Sequence, residues 1–300
     1  MVRCTVCSHS FAKNDFESLA IHFTDQASIS DSKHIAWLNK NISKDKQSSS
    51  ELKELFEKFF DYKDIGLTKW ILQKFIQKFY LNDIHPFVER MQDPDRAILL
   101  GYVLEHQHFL KQWVRSCAFI LARSQQDDVI RFESENIVSE YGGHEYCKTV
   151  PHVEYLLRMG ESLGLTREEI TSTEPLLATV NAIEFWDYIA QNYHWVECML
   201  AMHGLELIAN KNLRSEGAKK HYFDPAILEE DSIKVTQDAK NFLREGYEAD
   251  VHHSGEALAL VEKYTTEFDI ADDVQSTFLR SIDVFDSYLM SRVERASEFS

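Results

Sequence analysis

The sequence predicts an all-α protein, a helical bundle preceded by a small zinc-binding unit. Three observations lead there. Only 10 glycines and 5 prolines occur in 300 residues, few for a turn-rich chain and suited to long helices. Apolar residues recur at helical spacing over most of the length, with no period-two run and no repeat of about 20–50 residues. A C-x-x-C pair, Cys4 and Cys7, opens the chain and is followed by His22 and His34.

The bulk composition narrows the function classes. Hydrophobic residues make up 44% and aromatics 12%, enough to bury a sizeable core. Lys and Arg number 32 against 49 Asp and Glu, a formal charge of −17. Such a surface repels phosphate backbones and anionic lipid, so neither nucleic acid nor membrane is the expected partner. The five cysteines (Cys4, Cys7, Cys117, Cys147, Cys198) are odd in number, no signal peptide precedes them, and no apolar run reaches the length of a membrane span. A reducing, cytoplasmic setting is the expectation. No G-x-x-x-x-G-K loop and no G-x-S-x-G elbow appears, which argues against nucleotide and serine hydrolysis.

Residues 1–43 read as the Cys/His unit, 44–52 as a polar linker and 53–300 as the bundle. Ser50 and Glu51 before Leu52, Leu55, Phe56, Phe59 and Phe60 resemble a capped amphipathic helix start. A helix follows from Leu67, extending towards Met91, and Pro94 restarts the chain into a strong helix over about 95–123. Residues 127–141 form another, stopped by Gly142 and Gly143, and Pro151 sits at the first turn of the next, 151–163. One long helix is expected over about 179–210, a polar loop over 211–231, and two further helices near 232–266 and 270–297.

Zinc favours four soft or borderline ligands in a tetrahedron, two of them commonly on a C-x-x-C turn. Cys4, Cys7, His22 and His34 give the spacing C-x2-C-x14-H-x11-H, with a longer gap between the histidines than a standard two-Cys two-His finger; His9 is a spare candidate. So small a unit needs such a staple. Residues 1–47 hold six basic and five acidic side chains, which lacks the basic face of a DNA reader. Protein docking or scaffolding is the expected role, with a homodimer or a protein partner reached through this unit.

Bundles build di-iron sites from carboxylates and histidines projecting inward, and a spacing of three or four puts two ligands on one helix face. Four such groupings occur. Glu105 and His108 lie on the 95–123 helix, Glu105 sharing a stripe with Ile98, Tyr102 and Phe109. Glu133, Ile137 and Glu140 form a stripe followed by His144 and His152. His203 and Glu206 lie on the long helix, with His194 and Glu197 as the rival pair. Asp250 and His253 lie near Leu243, Gly246, Ala257 and Leu260. Glu197 and Glu206 are half a turn out of phase, so one straight helix cannot aim both at one centre.

With these groupings come E-N-x-x-x-E-Y-G-G (Glu135–Gly143) and F-L-x-x-x-x-x-x-D-x-x-H (Phe242–His253). In this order they resemble the haem-oxygenase-like di-iron oxidases and oxygenases, in the superfamily of the TenA thiaminases, over about residues 55–270. The resemblance implies a haem-oxygenase/TenA-like bundle holding two iron ions, with manganese an alternative, and O2 as co-substrate. It implies oxidation of a small molecule: an amine, a fatty acid or an amino-acid-derived compound. It carries over Glu105, Glu140, Glu206, Asp250 and His253, completed by His144 on proximity or His152 on motif order. Gly246 stands where the family's H-x-x-x-D-x-x-H begins, which bears on the second iron position; Glu245 or His252 are the substitutes. Tyr102, Tyr141, Trp186 and Tyr193 are candidates for the pocket wall. The rival readings are a metal-free TenA-like enzyme or binder of a small heterocycle, with Cys198 or Cys117 as nucleophile, and a non-enzymatic zinc-containing interaction scaffold.

Overall fold

The computed structural model describes residues 1–81, 83–142, 150–230 and 232–300, with the side chains of 141–142 and 248–253 outside that description. The chain opens with a two-stranded antiparallel hairpin, β1 (Val2–Arg3) and β2 (Ser10–Phe11), whose register pairs Val2 with Phe11. Helices α1 (Phe16–Ser28), α2 (Ser32–Asn41) and α3 (Ser49–Phe60) follow. The bundle comprises α4 (Leu67–Phe79), α5 (Pro86–Arg90), α6 (Arg96–Arg123), α7 (Asp127–Ile137), α8 (His152–Ser162), α9 (Arg167–Ser172), α10 (Leu177–Asn192), α11 (Trp195–His203), α12 (Gln237–Phe268) and α13 (Ala271–Ala296). Among the described residues no helix is long and apolar enough to cross a membrane.

Local chemistry sets the boundaries, and in three places it departs from the sequence expectation. Helix α3 starts inside the stretch expected as linker, because Ser48 caps it and Glu51 returns a hydrogen bond to the Ser48 N–H at 2.8 Å. The helix begun at Leu67 stops at Phe79, and α5 starts separately with Pro86 in its first turn. The helix expected over 179–210 is broken. His194 Nδ1 accepts the Val196 N–H and Glu197 accepts the His194 N–H at 3.1 Å, so the chain caps a new helix, α11, which ends at His203. Glu206 then lies in a short 3-10 turn, Glu206–Ile208, rather than on the helix that carries Glu197.

The centre of the bundle is the pair α6 and α13. Helix α6 is buried along nearly its whole length, as an element enclosed on all sides must be. Gly101 permits the closest approach: a Cβ there would stand 2.2 Å from the Arg292 carbonyl oxygen of α13. The amino-terminal unit is fastened to α13. The Met1 ammonium meets Asp273 at 2.5 Å, Arg3 meets Asp273 at 2.7 Å, and the Trp37 indole donates to Asp283 at 3.1 Å. Phe23 packs at a tilt against Trp37 and Phe56 with ring centres 5.3 Å apart in both cases, so one apolar core runs from the unit through α3 into the bundle.

Candidate functional site

The hairpin and the first two helices bring Cys4, Cys7, His22 and His34 together, with their donor atoms all within 4.8 Å of one another. The Cys4 N–H donates to the His9 carbonyl and the Ser8 N–H to the Cys4 carbonyl, both at 2.8 Å, which curls the C-x-x-C turn. Helix α1 presents His22 and α2 presents His34. Cys4 Sγ lies 3.4 Å from His34 Nε2, Cys7 Sγ lies 3.4 Å from His22 Nε2, and the two Nε2 atoms are 3.2 Å apart. A tetrahedron with bonds of about 2.0 Å to nitrogen and 2.3 Å to sulfur has edges of roughly 3.3–3.8 Å, so the four donors fit one zinc ion. Asp31 caps α2 and holds His34 Nδ1 at 2.7 Å, which turns Nε2 towards the cluster. His9 stacks on His22 rather than joining the donors.

A second site lies inside the bundle, at a cavity of about 90 Å³. Helix α6 contributes Tyr102, His106, Phe109 and Trp113, α12 contributes Phe242, and α13 contributes Phe285, giving a largely aromatic wall. One end is acidic. Glu140 comes from the π-helical turn Val138–Gly142 that extends α7, His152 opens α8, Glu206 sits in the turn after α11, and Glu245 lies on α12. Such π turns are rare and concentrate at functional sites. His152 Nδ1 stands 3.3 Å from Glu140 and 3.4 Å from Glu245. Oε2 of Glu140 and of Glu206 is buried with no hydrogen-bond partner among the described residues, and Glu245 Oε2 has only the approach to His152. An unmatched buried carboxylate oxygen costs on the order of 1–3 kcal/mol or more, so the cluster calls for a cation. Carboxylate oxygen with imidazole is the donor set of iron or manganese, and these residues fit that group.

Behind the acidic end, Glu133 and His203 form a fully enclosed pair, with His203 Nε2 3.0 Å from Glu133 Oε1 and Nδ1 3.5 Å from Glu206 Oε1. Trp113 and Phe132 pack edge-on against the imidazole. Burial alone would lower the basicity of His203, but the charges of Glu133 and Glu206 and the hydrogen bond to Glu133 outweigh it and push the pKa up to about 10. The two acids thus favour the protonated form of His203, which faces Glu206 from outside the cavity. His106, by contrast, is held well below the ordinary imidazole value, by burial first and then by the charge of Arg292.

Several residues expected at the site lie elsewhere. Glu105 shares a helix stripe with the cavity residue Tyr102, but its carboxylate turns the other way. It accepts from Thr179 at 2.5 Å and from the Leu176 N–H at 3.2 Å, and it pairs with Arg295 at 2.8 Å. It is a satisfied structural ion pair. Glu197 is spent on the α11 cap and on hydrogen bonds from Arg3 and, at 2.7 Å, Thr277. Trp186 is core, its indole donating to Ser281 at 3.0 Å, and the Tyr193 ring lies 4.4 Å beneath the Arg3 guanidinium. Cys117 and Cys198 are buried and absent from the described lining, and burial raises both thiols, the opposite of an activated nucleophile. His144 lies outside the described residues, as do the side chains of Tyr141, Asp250, His252 and His253. Sequence reasoning missed His106, Tyr222 and Arg292 on the cavity wall; the one available signal was Arg292 on the apolar stripe of α13, four residues after Tyr288.

Fold and site together define an all-helical bundle of the haem-oxygenase-like class built around one aromatic and acidic cavity. The chain belongs to the TENA/THI-4/PQQC family, whose sequence profile matches residues 70–296. Residues 1–61 match a C2H2 type zinc-finger profile. A TenA homologue from Pseudomonas syringae pv. tomato superposes with a TM-score of 0.53 at 14% identity, covering 75% of this chain and 88% of that one. A domain of unknown function with a haem-oxygenase-like fold from Shewanella denitrificans gives 0.54 at 16% identity, covering 85% of this chain and 96% of that one. No curated protein matches the sequence significantly.

Proposed function

We propose that the protein is an O2-dependent oxidoreductase that oxidises a small organic molecule at a metal pair in the bundle cavity. The observation that supports this is the meeting of Glu140, His152 and Glu245 at 3.3–3.4 Å beside a cavity on which Glu206 also opens, with buried carboxylate oxygens left unmatched. Glu140, His152, Glu206 and Glu245 would hold the metal, and the sequence resemblance adds Asp250 and His253 to that set. Bound iron would supply the binding and reduction of O2, which organic side chains do not provide. The chain's own part is to fix those donors and to keep water out. Glu133 and His203 brace Glu206, and the aromatic wall gives the substrate a dry surface. The Cys4, Cys7, His22, His34 cluster would hold a structural zinc that locks the hairpin against α13.

A second reading is a metal-free family member that binds a cationic heterocycle, supported by the same three carboxylates facing aromatic rings. One experiment separates the two. Protein produced with iron and purified without oxygen is assayed for metal, then exposed to air while its visible absorption is followed. The oxidase reading expects one zinc and up to two irons per chain and a transient absorption change. Glu140→Ala and Asp250→Ala should lose iron and retain zinc. Zinc alone under every loading condition would sink the oxidase reading and leave the metal-free one.

A further inference from the structure

Arg292 is a buried cation with no carboxylate paired to it among the described residues. It lines the cavity from α13 with 2% of its surface exposed. Its Nη1 donates to the Tyr222 hydroxyl at 3.0 Å, and Nη2 donates to the Tyr288 hydroxyl at 2.9 Å and to His106 Nδ1 at 3.0 Å. All three partners are neutral. Nε is buried and has no hydrogen-bond partner among the described residues. The rings of Tyr102 and Tyr288 flank the guanidinium at 4.1 and 4.8 Å, which softens its desolvation without neutralising it.

Other buried cations of the bundle have negative or strongly polar acceptors: Lys240 donates to the backbone carbonyls of Glu229 at 2.7 Å and Ser232 at 2.6 Å. Arg295 has Glu105 and Glu298, and His203 has Glu133. A chain with 49 acidic residues places none of its described carboxylates in an ion pair with Arg292. Burying an unpaired guanidinium costs several kcal/mol, so the position makes physical sense when an anion arrives from outside. The described lining of the cavity therefore carries three carboxylates, Glu140, Glu206 and Glu245, together with one guanidinium, Arg292.

We propose that Arg292 binds the anionic end of the substrate, and that the substrate is a small monocarboxylate whose body lies along the aromatic wall towards Glu140 and His152. This rests on the reading of the cavity as a substrate pocket, and not on the identity of the metal. A monoanion fits better than a phosphate ester, because a dianion needs more than one cation and the remaining charged groups of the wall are glutamates that would repel it.

The test is calorimetric titration of protein from iron-depleted medium with matched pairs: 3-phenylpropanoate against 3-phenylpropanamide, and hexanoate against hexanamide. Each acid should bind about tenfold or more tightly than its amide, as one charge-assisted contact provides. Arg292→Gln should erase the ratio while leaving amide binding in place, and Arg292→Lys should keep part of it, with circular dichroism melting curves confirming that each variant is folded. Should Arg292→Gln not fold, the wild-type ratio and the lysine variant still decide. Equal affinity for acid and amide, a preference that survives Arg292→Gln, or failure of both acids to bind overturns the proposal. Iron content, measured on separate preparations, fails independently: iron binding with no acid preference removes this inference alone, and acid preference without iron removes the oxidase alone.

Discussion

The amino-terminal cluster and the cavity cluster both gather metal-type donors, but they do so in opposite ways. The first draws four donors from a hairpin and two short helices within residues 4–34, and the donors already touch at tetrahedral edge lengths. The second draws on a π-helical turn, α8, the turn after α11 and α12, and leaves carboxylate oxygens facing a cavity without partners. The contrast is the one expected between a structural site and a working one. A closed donor set lowers the energy of the fold when it is filled, whereas an open one stores unfavourable charge that only a ligand relieves.

Removing a donor should then have opposite signs at the two sites. The largest effect is expected for Cys4→Ala. Loss of zinc should destabilise the protein by on the order of 5 kcal/mol, because the small unit has little else to hold it. Zinc content together with the thermal midpoint measures this, and an unchanged midpoint in a zinc-free variant would break the contrast. Next is Glu133→Gln, which leaves His203 enclosed without its counter-charge and should cost about 3–5 kcal/mol in urea denaturation. A cost under about 1 kcal/mol would mean that His203 is not held as an imidazolium. Glu140→Ala should abolish iron uptake yet leave the metal-free protein as stable as wild type or up to about 1 kcal/mol more stable, since it removes one of several like charges. Destabilisation there would class the cavity with the zinc unit.

The effect most confined to one pH range concerns Asp286 of α13, which pairs with Lys78 at 2.9 Å and His85 at 3.2 Å. Burial would raise the Asp286 carboxyl, but a hydrogen bond from His85 and the charge of Lys78 outweigh it and hold it well below the ordinary carboxylate value. A carboxylate lowered on folding contributes stability that is complete above its unfolded value of about 4 and is lost as pH falls below it. Asp286→Asn should therefore be less stable than wild type at pH 6 by about 1–2 kcal/mol, and the gap should close as the pH is lowered from about 4. A gap constant across that range would assign the effect to packing.

The two regions also differ in how readily the sequence discloses them. Cys4, Cys7, His22 and His34 were legible because sulfur and imidazole at such spacing have few other uses, and the chain between them is short. Glu105 and Glu197 were misleading for the reason that Glu140 and Glu206 were not certain: an acid on an apolar stripe reads the same whether it faces a cavity, a cap or an arginine. Arg295 lies 190 residues after Glu105, and Arg3 lies 194 residues before Glu197, so no local pattern reveals either pairing.

By itself the sequence determined the all-helical class, most helix boundaries and the donor set of the amino-terminal unit, because helical period, capping side chains and zinc preference act over short stretches of chain. Tertiary structure alone decided which acids are paired and which are left facing the cavity. It also decided the break before α11 that frees Glu206 from the phase of Glu197, and the meeting of Arg292 with the neutral groups of α6 and α13. The reason is that the energy of a buried charge depends on every partner within a few ångströms, and those partners come from parts of the chain that only packing brings together.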